Sequence, residues 1–148
     1  MTPQTNLQTV RQYYSCIHEH DLDQTVSFAS ENVEWQDMAT GTHLRGKEGF
    51  RKSNQYWLTA FPDTEIQINT IFESGEFVVV EYLARGTHQG AIVSPNGTFQ
   101  ATGRRVEMNF CDIIRLSNGK IESGRSYYDL MTLLTQVGLA TSTLQAAA

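Results

Sequence analysis

The stretch VEMNFCDIIRLSNGKIESGRSYY, residues 106–128, decides the fold. Asn118-Gly119 is the dipeptide best suited to the two positive-φ positions of a tight hairpin turn, and the flanking residues carry the apolar alternation of strands. Val106 to Leu116 and Lys120 to Tyr128 therefore read as two long antiparallel strands in a fixed register. Towards the N-terminus, Glu65 to Phe72 and Glu76 to Thr87 alternate with period two about Ser74-Gly75 and make another hairpin. Ser94-Pro95-Asn96-Gly97 marks a further turn between the two hairpins.

The first sixty residues follow a different period. Thr5-x-x-Gln8 is a capping box, after which Leu7, Val10, Tyr14 and Ile17 recur at helical steps. Asp21 with Gln24 opens a second helix, with Leu22, Val26 and Ala29 on one face until Asn32. Val33, Trp35 and Asp37 then alternate as a strand. Beyond Gly46, residues Phe50, Asn54, Trp57, Leu58 and Phe61 return to helical spacing, and Pro62 stops them. Leu130, Leu133, Leu134 and Val137 form a last helix that Gly138 closes. Helices first and consecutive antiparallel strands afterwards imply an α+β domain in which a strongly curved sheet wraps the N-terminal helices as a cone. A cone of this kind is not filled by its own side chains, and an apolar cavity follows.

The 148 residues make one domain, with 140–148 a small-residue tail expected to fray. Eleven basic against sixteen acidic side chains leave a net charge of −5, which argues against nucleic acid and anionic membranes as partners. The longest apolar run is Phe77 to Val80, and the first twenty residues carry no secretory pattern, so a soluble cytoplasmic protein is expected. Cys16 and Cys111 have no metal-ligand or disulfide spacing, and no metal site is expected.

Gly86-Thr87-His88-Gln89-Gly90, Ala101-Thr102-Gly103-Arg104-Arg105-Val106 and Gly119-Lys120-Ile121, in this order, together with Tyr127-Tyr128-Asp129 before Leu133-Leu134-Thr135-Gln136-Val137-Gly138, resemble the SnoaL-like polyketide cyclases. These belong to the nuclear transport factor two-like superfamily. The resemblance runs to Leu139. It implies a cone-shaped α+β barrel, a homodimer formed through the sheet, and a cofactor-independent intramolecular aldol condensation. It also implies that Asp129, the acid before the last helix, is the acid/base. The assisting strand histidine of such cyclases has no counterpart in 106–116, where Asn109 and Cys111 stand near its place.

Read as chemistry, Asp129 facing an apolar cavity would have a raised pKa suited to proton exchange; read as structure, it is an N-cap for the last helix. His88, or a tyrosine such as Tyr82 or Tyr127, would polarise a carbonyl. Trp35, Trp57, Tyr82, Phe110 and Tyr127 offer surfaces for a small hydrophobic or polycyclic molecule. Asp37 shares the inward parity of Trp35, and the resemblance, which puts Asn109 near the place of the family's strand histidine, adds Asn109 to the expected lining. The reading that follows is a cyclase or isomerase using an acid/base aspartate in an apolar pocket. The alternative is a non-catalytic ligand-binding or dimer-scaffold protein of the same fold, since one fold hosts many activities.

Overall fold

A computed structural model describes residues 4–94 and 97–139. The expected tail and the middle of the 94–97 turn lie outside the described residues. Thr5 and Gln8 exchange the two hydrogen bonds of the capping box, at 3.1 and 3.0 Å, and so start α1 (Asn6–His18). Val10, Tyr13, Tyr14 and Ile17 are its buried stripe. The Asp21 carboxylate accepts from the Gln24 N–H and starts α2 (Leu22–Ser27). That helix is shorter than the spacing suggests, because Ala29 already begins β1 (Ala29–Asp37). The chain then turns through Gly41 into a short strand that the sequence did not announce, β2 (Thr42–Arg45), which pairs back on β1 with Leu44 opposite Trp35. α3 (Gly46–Ala60) follows.

β3 (Glu65–Ser74) and β4 (Phe77–Thr87) form the expected hairpin. β5 (Ile92–Ser94) and β6 (Gly97–Phe99) make a separate two-stranded ribbon. β7 (Arg105–Ser117) and β8 (Lys120–Tyr127) are joined by Asn118 and Gly119, both at positive φ, as an Asn-Gly hairpin turn requires. α4 (Leu130–Gln136) ends before Gly138, whose φ of 77° is the left-handed value glycine adopts most readily.

The main sheet runs β2-β1-β8-β7-β4-β3. Every pairing is antiparallel except β1 with β8, because β1 must run from the helical hairpin along the strand that arrives last in the chain. The result is the curved, antiparallel-dominated α+β sheet that the sequence calls for. Register shifts at Ile68/Thr70 and Arg115/Leu116 mark bulges, and a bulge bends its strand. On the concave side, Val78, Val80, Tyr82 and Ala84 of β4 meet Val106, Met108, Phe110 and Ile114 of β7, under Val10, Tyr13 and Tyr14 of α1. Each such side chain contributes roughly 1.5–3 kcal/mol of burial if it is Val-sized or larger. Aspartate 112 sits in this apolar row at 1% exposure, flanked by Phe110 and Ile114 on the same face.

Candidate active site

Two cavities open inside the cone and share a waist of Trp35, Asp37, Ser53, Trp57 and Tyr128. The inner one, about 110 Å³, ends on Tyr14, Tyr82, Phe110, Asp112 and Ser126. The outer one, about 410 Å³, is walled by Phe61 of the α3 end, Ile92, Val93 and Phe99 of the ribbon, and Leu130, Leu133 and Leu134 of α4. The outer volume suits a small organic ligand, and the inner one a single polar edge of it.

The inner end is built from three distant pieces of chain. Alternation along β7 turns Asp112 inward with Phe110. Tyr14 from α1 and Tyr82 from β4 both donate their hydroxyls to Asp112 Oδ2, Tyr82 at 3.0 Å. Oδ1 has no hydrogen-bond partner among the described residues. Burial pushes the Asp112 pKa up to about 6; the hydroxyls of Tyr14, Ser126 and Tyr82 pull the other way, and the charge of Asp37 adds to the rise. Burial, followed by the Asp112 charge, lifts Tyr14 and Tyr82 well above their ordinary value, so both remain protonated donors. The aromatic rings fix these positions: Tyr14 lies 4.8 Å from Tyr82 between centroids, and Tyr82 stacks on Phe110 at 5.1 Å.

At the waist, Asp37 Oδ2 accepts from the Tyr128 hydroxyl at 2.8 Å, while Oδ1 accepts the N–H groups of Ala39 and Thr40, each at 3.0 Å. Burial, then the Asp37 charge, raises the Tyr128 pKa. Trp35 packs closely on β8 at its strand partner Gly124; a Cβ on that glycine would come within 2.1 Å of the indole.

Of the residues singled out from the sequence, Trp35, Asp37, Trp57, Tyr82 and Phe110 line the cavities. Four others require correction. Asp129 is exposed and lines neither cavity; its carboxylate caps α4, accepting from the Met131 N–H at 3.0 Å and the Thr132 hydroxyl at 2.7 Å. Those bonds, with Thr132 foremost, lower its pKa, opposite to the rise an acid/base role was expected to need. Asn109 and Tyr127 point outward, because the residues that turn inward are Phe110 on β7 and Ser126 on β8. Tyr128, just past the end of β8, takes the place expected for Tyr127. His88 is buried beneath Phe61 with Nδ1 2.9 Å from the Thr102 hydroxyl, and it joins the start of the ribbon segment to the strand after it rather than facing a cavity. Burial lowers its pKa. Reasoning from sequence missed Asp112, Tyr14 and Tyr128. The available signal was the apolar alternation from Val106 to Leu116, which an aspartate interrupts on the buried face.

The chain has the fold of the nuclear transport factor two-like class, an α+β architecture whose inner cavity is lined by a buried carboxyl and two tyrosines. Within that class, the SnoaL-like polyketide cyclase family matches residues 7–137, and the chain belongs to this family. Among solved structures, IdmH of Streptomyces antibioticus, a proposed polyketide cyclase, shares 25% identity at a TM-score of 0.74, over 91% of this chain and 99% of its own. AclR of Streptomyces galilaeus, a proposed hydroxylase, shares 19% at 0.78, over 92% and 97%. TsrD of Streptomyces laurentii shares 20% at 0.77, over 94% and 99%. A search of curated proteins found no match. No helix among the described residues is long and apolar enough to cross a membrane.

Proposed function

We propose that the protein is an acid–base enzyme of the cyclase or isomerase kind, acting on a small hydrophobic ketone, with Asp112 as the proton carrier. The family and the proposed cyclase assignment of IdmH support the reaction class. One observation supports the residue: a buried carboxyl lining the inner cavity, pushed up to about 6, with Oδ2 held by two tyrosine hydroxyls. Asp112 Oδ1 takes the proton from the carbon next to the substrate carbonyl, and the electron pair of that C–H bond becomes the enolate. In a cyclisation the enolate carbon bonds to a second carbonyl carbon, whose π pair moves onto oxygen. The proton on Asp112 then passes to that alkoxide and regenerates the carboxylate. Tyr14 and Tyr82 hold Oδ2 throughout and keep the carboxylate in place. Proton transfer of this kind is worth roughly 100- to 10,000-fold in rate.

The test is exchange of the α-protons of 2-tetralone into D2O, followed by proton NMR. Exchange above the buffer rate is expected, falling by about 100-fold or more in Asp112→Asn. Full exchange in that variant would remove Asp112 from the chemistry. Binding of the ketone without any exchange would instead mark the non-catalytic binding protein.

We also propose that the chain pairs through the convex face of the sheet. There Phe72, Val79 and Ile113 stand side by side across β3, β4 and β7, and Phe72, Phe77 and Tyr127 are exposed. Sedimentation velocity should give a dimer, and Phe72→Glu a monomer; a monomeric wild type would refute the pairing.

A further inference from the structure

Among the described residues no Lys, Arg or His lines either cavity, whereas a carboxylate stands where the two meet. That carboxylate is Asp37, at the end of β1 and only half-buried, so a molecule in the outer cavity reaches it. The chain holds it in place: Oδ1 accepts the N–H groups of Ala39 and Thr40, and Oδ2 accepts the Tyr128 hydroxyl. A carboxylate offers about four acceptor positions, which leaves one on Oδ2 for a ligand. Ser53 of α3 is also half-buried at the waist, and its hydroxyl has no hydrogen-bond partner among the described residues. Its oxygen is not one of the enclosed atoms left unpaired, so it meets open cavity. The rings of Trp35, Trp57 and Tyr128 complete the waist, and aromatic faces attract cations.

A negative charge on the wall of an apolar space is unfavourable unless a positive one comes to meet it. The Asp37 charge is felt by its neighbours, since it adds to the rise of both Asp112 and Tyr128. Above about pH 6 Asp112 supplies a second negative charge, again with no basic side chain beside it in either cavity. We infer that the waist is a binding site for a protonated amine, an ammonium group joined to an apolar body. The ammonium donates to Asp37 Oδ2 and to the Ser53 hydroxyl oxygen, over the faces of the two indoles. Its apolar body fills the outer cavity of about 410 Å³, against Phe61, Phe99 and Leu133. Anionic ligands are turned away. This goes beyond the acid–base reading: it assigns a charge to the ligand, needs no turnover, and leaves Asp112 free for the carbon that it deprotonates. A substrate that satisfies both carries its basic nitrogen at the waist and its acidic carbon at the inner end.

Three probes with one ring skeleton test it by calorimetry at about pH 7.5, where an alkyl ammonium keeps its proton. They are 2-aminotetralin, its neutral counterpart 2-tetralol, and the anion tetralin-2-carboxylate. The amine should bind about tenfold or more tightly than the alcohol, and the carboxylate should not bind. In Asp37→Asn the advantage of the amine over the alcohol should vanish, and in Ser53→Ala it should shrink by about fivefold. A further measurement needs no variant to fold: the bound amine should lower the carbon-13 titration midpoint of Asp112, because it offsets the Asp37 charge, and the alcohol should not. Equal affinity for amine and alcohol, carboxylate binding as tight as that of the amine, or no binding of any probe would overturn the inference. So would an Asp112 midpoint unmoved by the amine, or an amine advantage that survives Asp37→Asn. α-Proton exchange in 2-tetralone alongside equal affinity for amine and alcohol would remove this inference alone. The amine advantage without exchange would remove the enzymatic reading alone.

Discussion

The inner cavity and the entrance to α4 each carry one aspartate that accepts several hydrogen bonds, yet the two are driven in opposite directions. Asp112 accepts from two tyrosine hydroxyls inside an apolar row, and burial outweighs them, so its pKa rises to about 6. Asp129, exposed at the surface, accepts from the Thr132 hydroxyl and from backbone N–H groups, and those bonds outweigh its desolvation, so its pKa falls. Hydrogen bonding alone therefore does not make a carboxyl a proton carrier. What matters is whether water can reach it. A helix cap needs a charged, hydrated oxygen, whereas a group that must take up and release a proton near neutrality needs the reverse.

The contrast is sharpest in stability against pH. Between 3.8 and about 6 the folded protein holds the Asp112 proton more tightly than the unfolded chain does. Stability from this group is therefore complete below the lower value and is lost as pH rises through the upper one. Asp112→Asn removes that loss, and its melting temperature relative to wild type should climb from pH 4 to pH 7, by the equivalent of about 3 kcal/mol. A constant difference across that range would break the comparison. For Asp129 the sign reverses: its contribution is present above the ordinary carboxylate range and lost as pH falls through the lowered value.

Next in size, Gly124→Ala drives a methyl into Trp35 at the cavity waist and should cost about 1–3 kcal/mol in chemical denaturation. Ketone binding should weaken with it, and an unchanged denaturation midpoint would show that the indole is not pinned there. Tyr14→Phe removes the foremost of the hydroxyls that hold the Asp112 value down. That value should rise by about one unit, read by carbon-13 NMR. The smallest effect belongs to Asp129→Asn, which weakens the α4 cap, lowers the melting temperature slightly, and should leave α-proton exchange within twofold of wild type. Loss of exchange there would return the chemistry to the helix entrance.

Features set by neighbouring residues were legible in the sequence. The Thr5-Gln8 box, the Asn118-Gly119 turn and Gly138 after α4 each depend on a few consecutive residues, and each stands where its chemistry requires. Parity was legible for Trp35 and Asp37. Asn109, chosen for its place near the family's strand histidine, and Tyr127, chosen as an aromatic surface, each stand one residue away from a cavity-lining position, at Phe110 and Tyr128. The site itself joins residues 98 and 30 positions apart, Tyr14 and Tyr82 with Asp112. No local pattern connects them, and the depth that raises the Asp112 pKa comes from the packing of three separate elements. Asp129, by contrast, carried a cap signature in plain view beside Leu130-Met131-Thr132, and the cap is what the fold uses.

The most direct measurement is a carbon-13 NMR titration of the aspartate side-chain carboxyls in the ligand-free protein, with Asp112 and Asp129 assigned by their Asn variants. Asp112 is expected to titrate near 6 and Asp129 below the ordinary aspartate value. An Asp112 midpoint at or below 4, or an Asp129 midpoint above it, would contradict the assignment of the proton carrier to the buried end of the cavity.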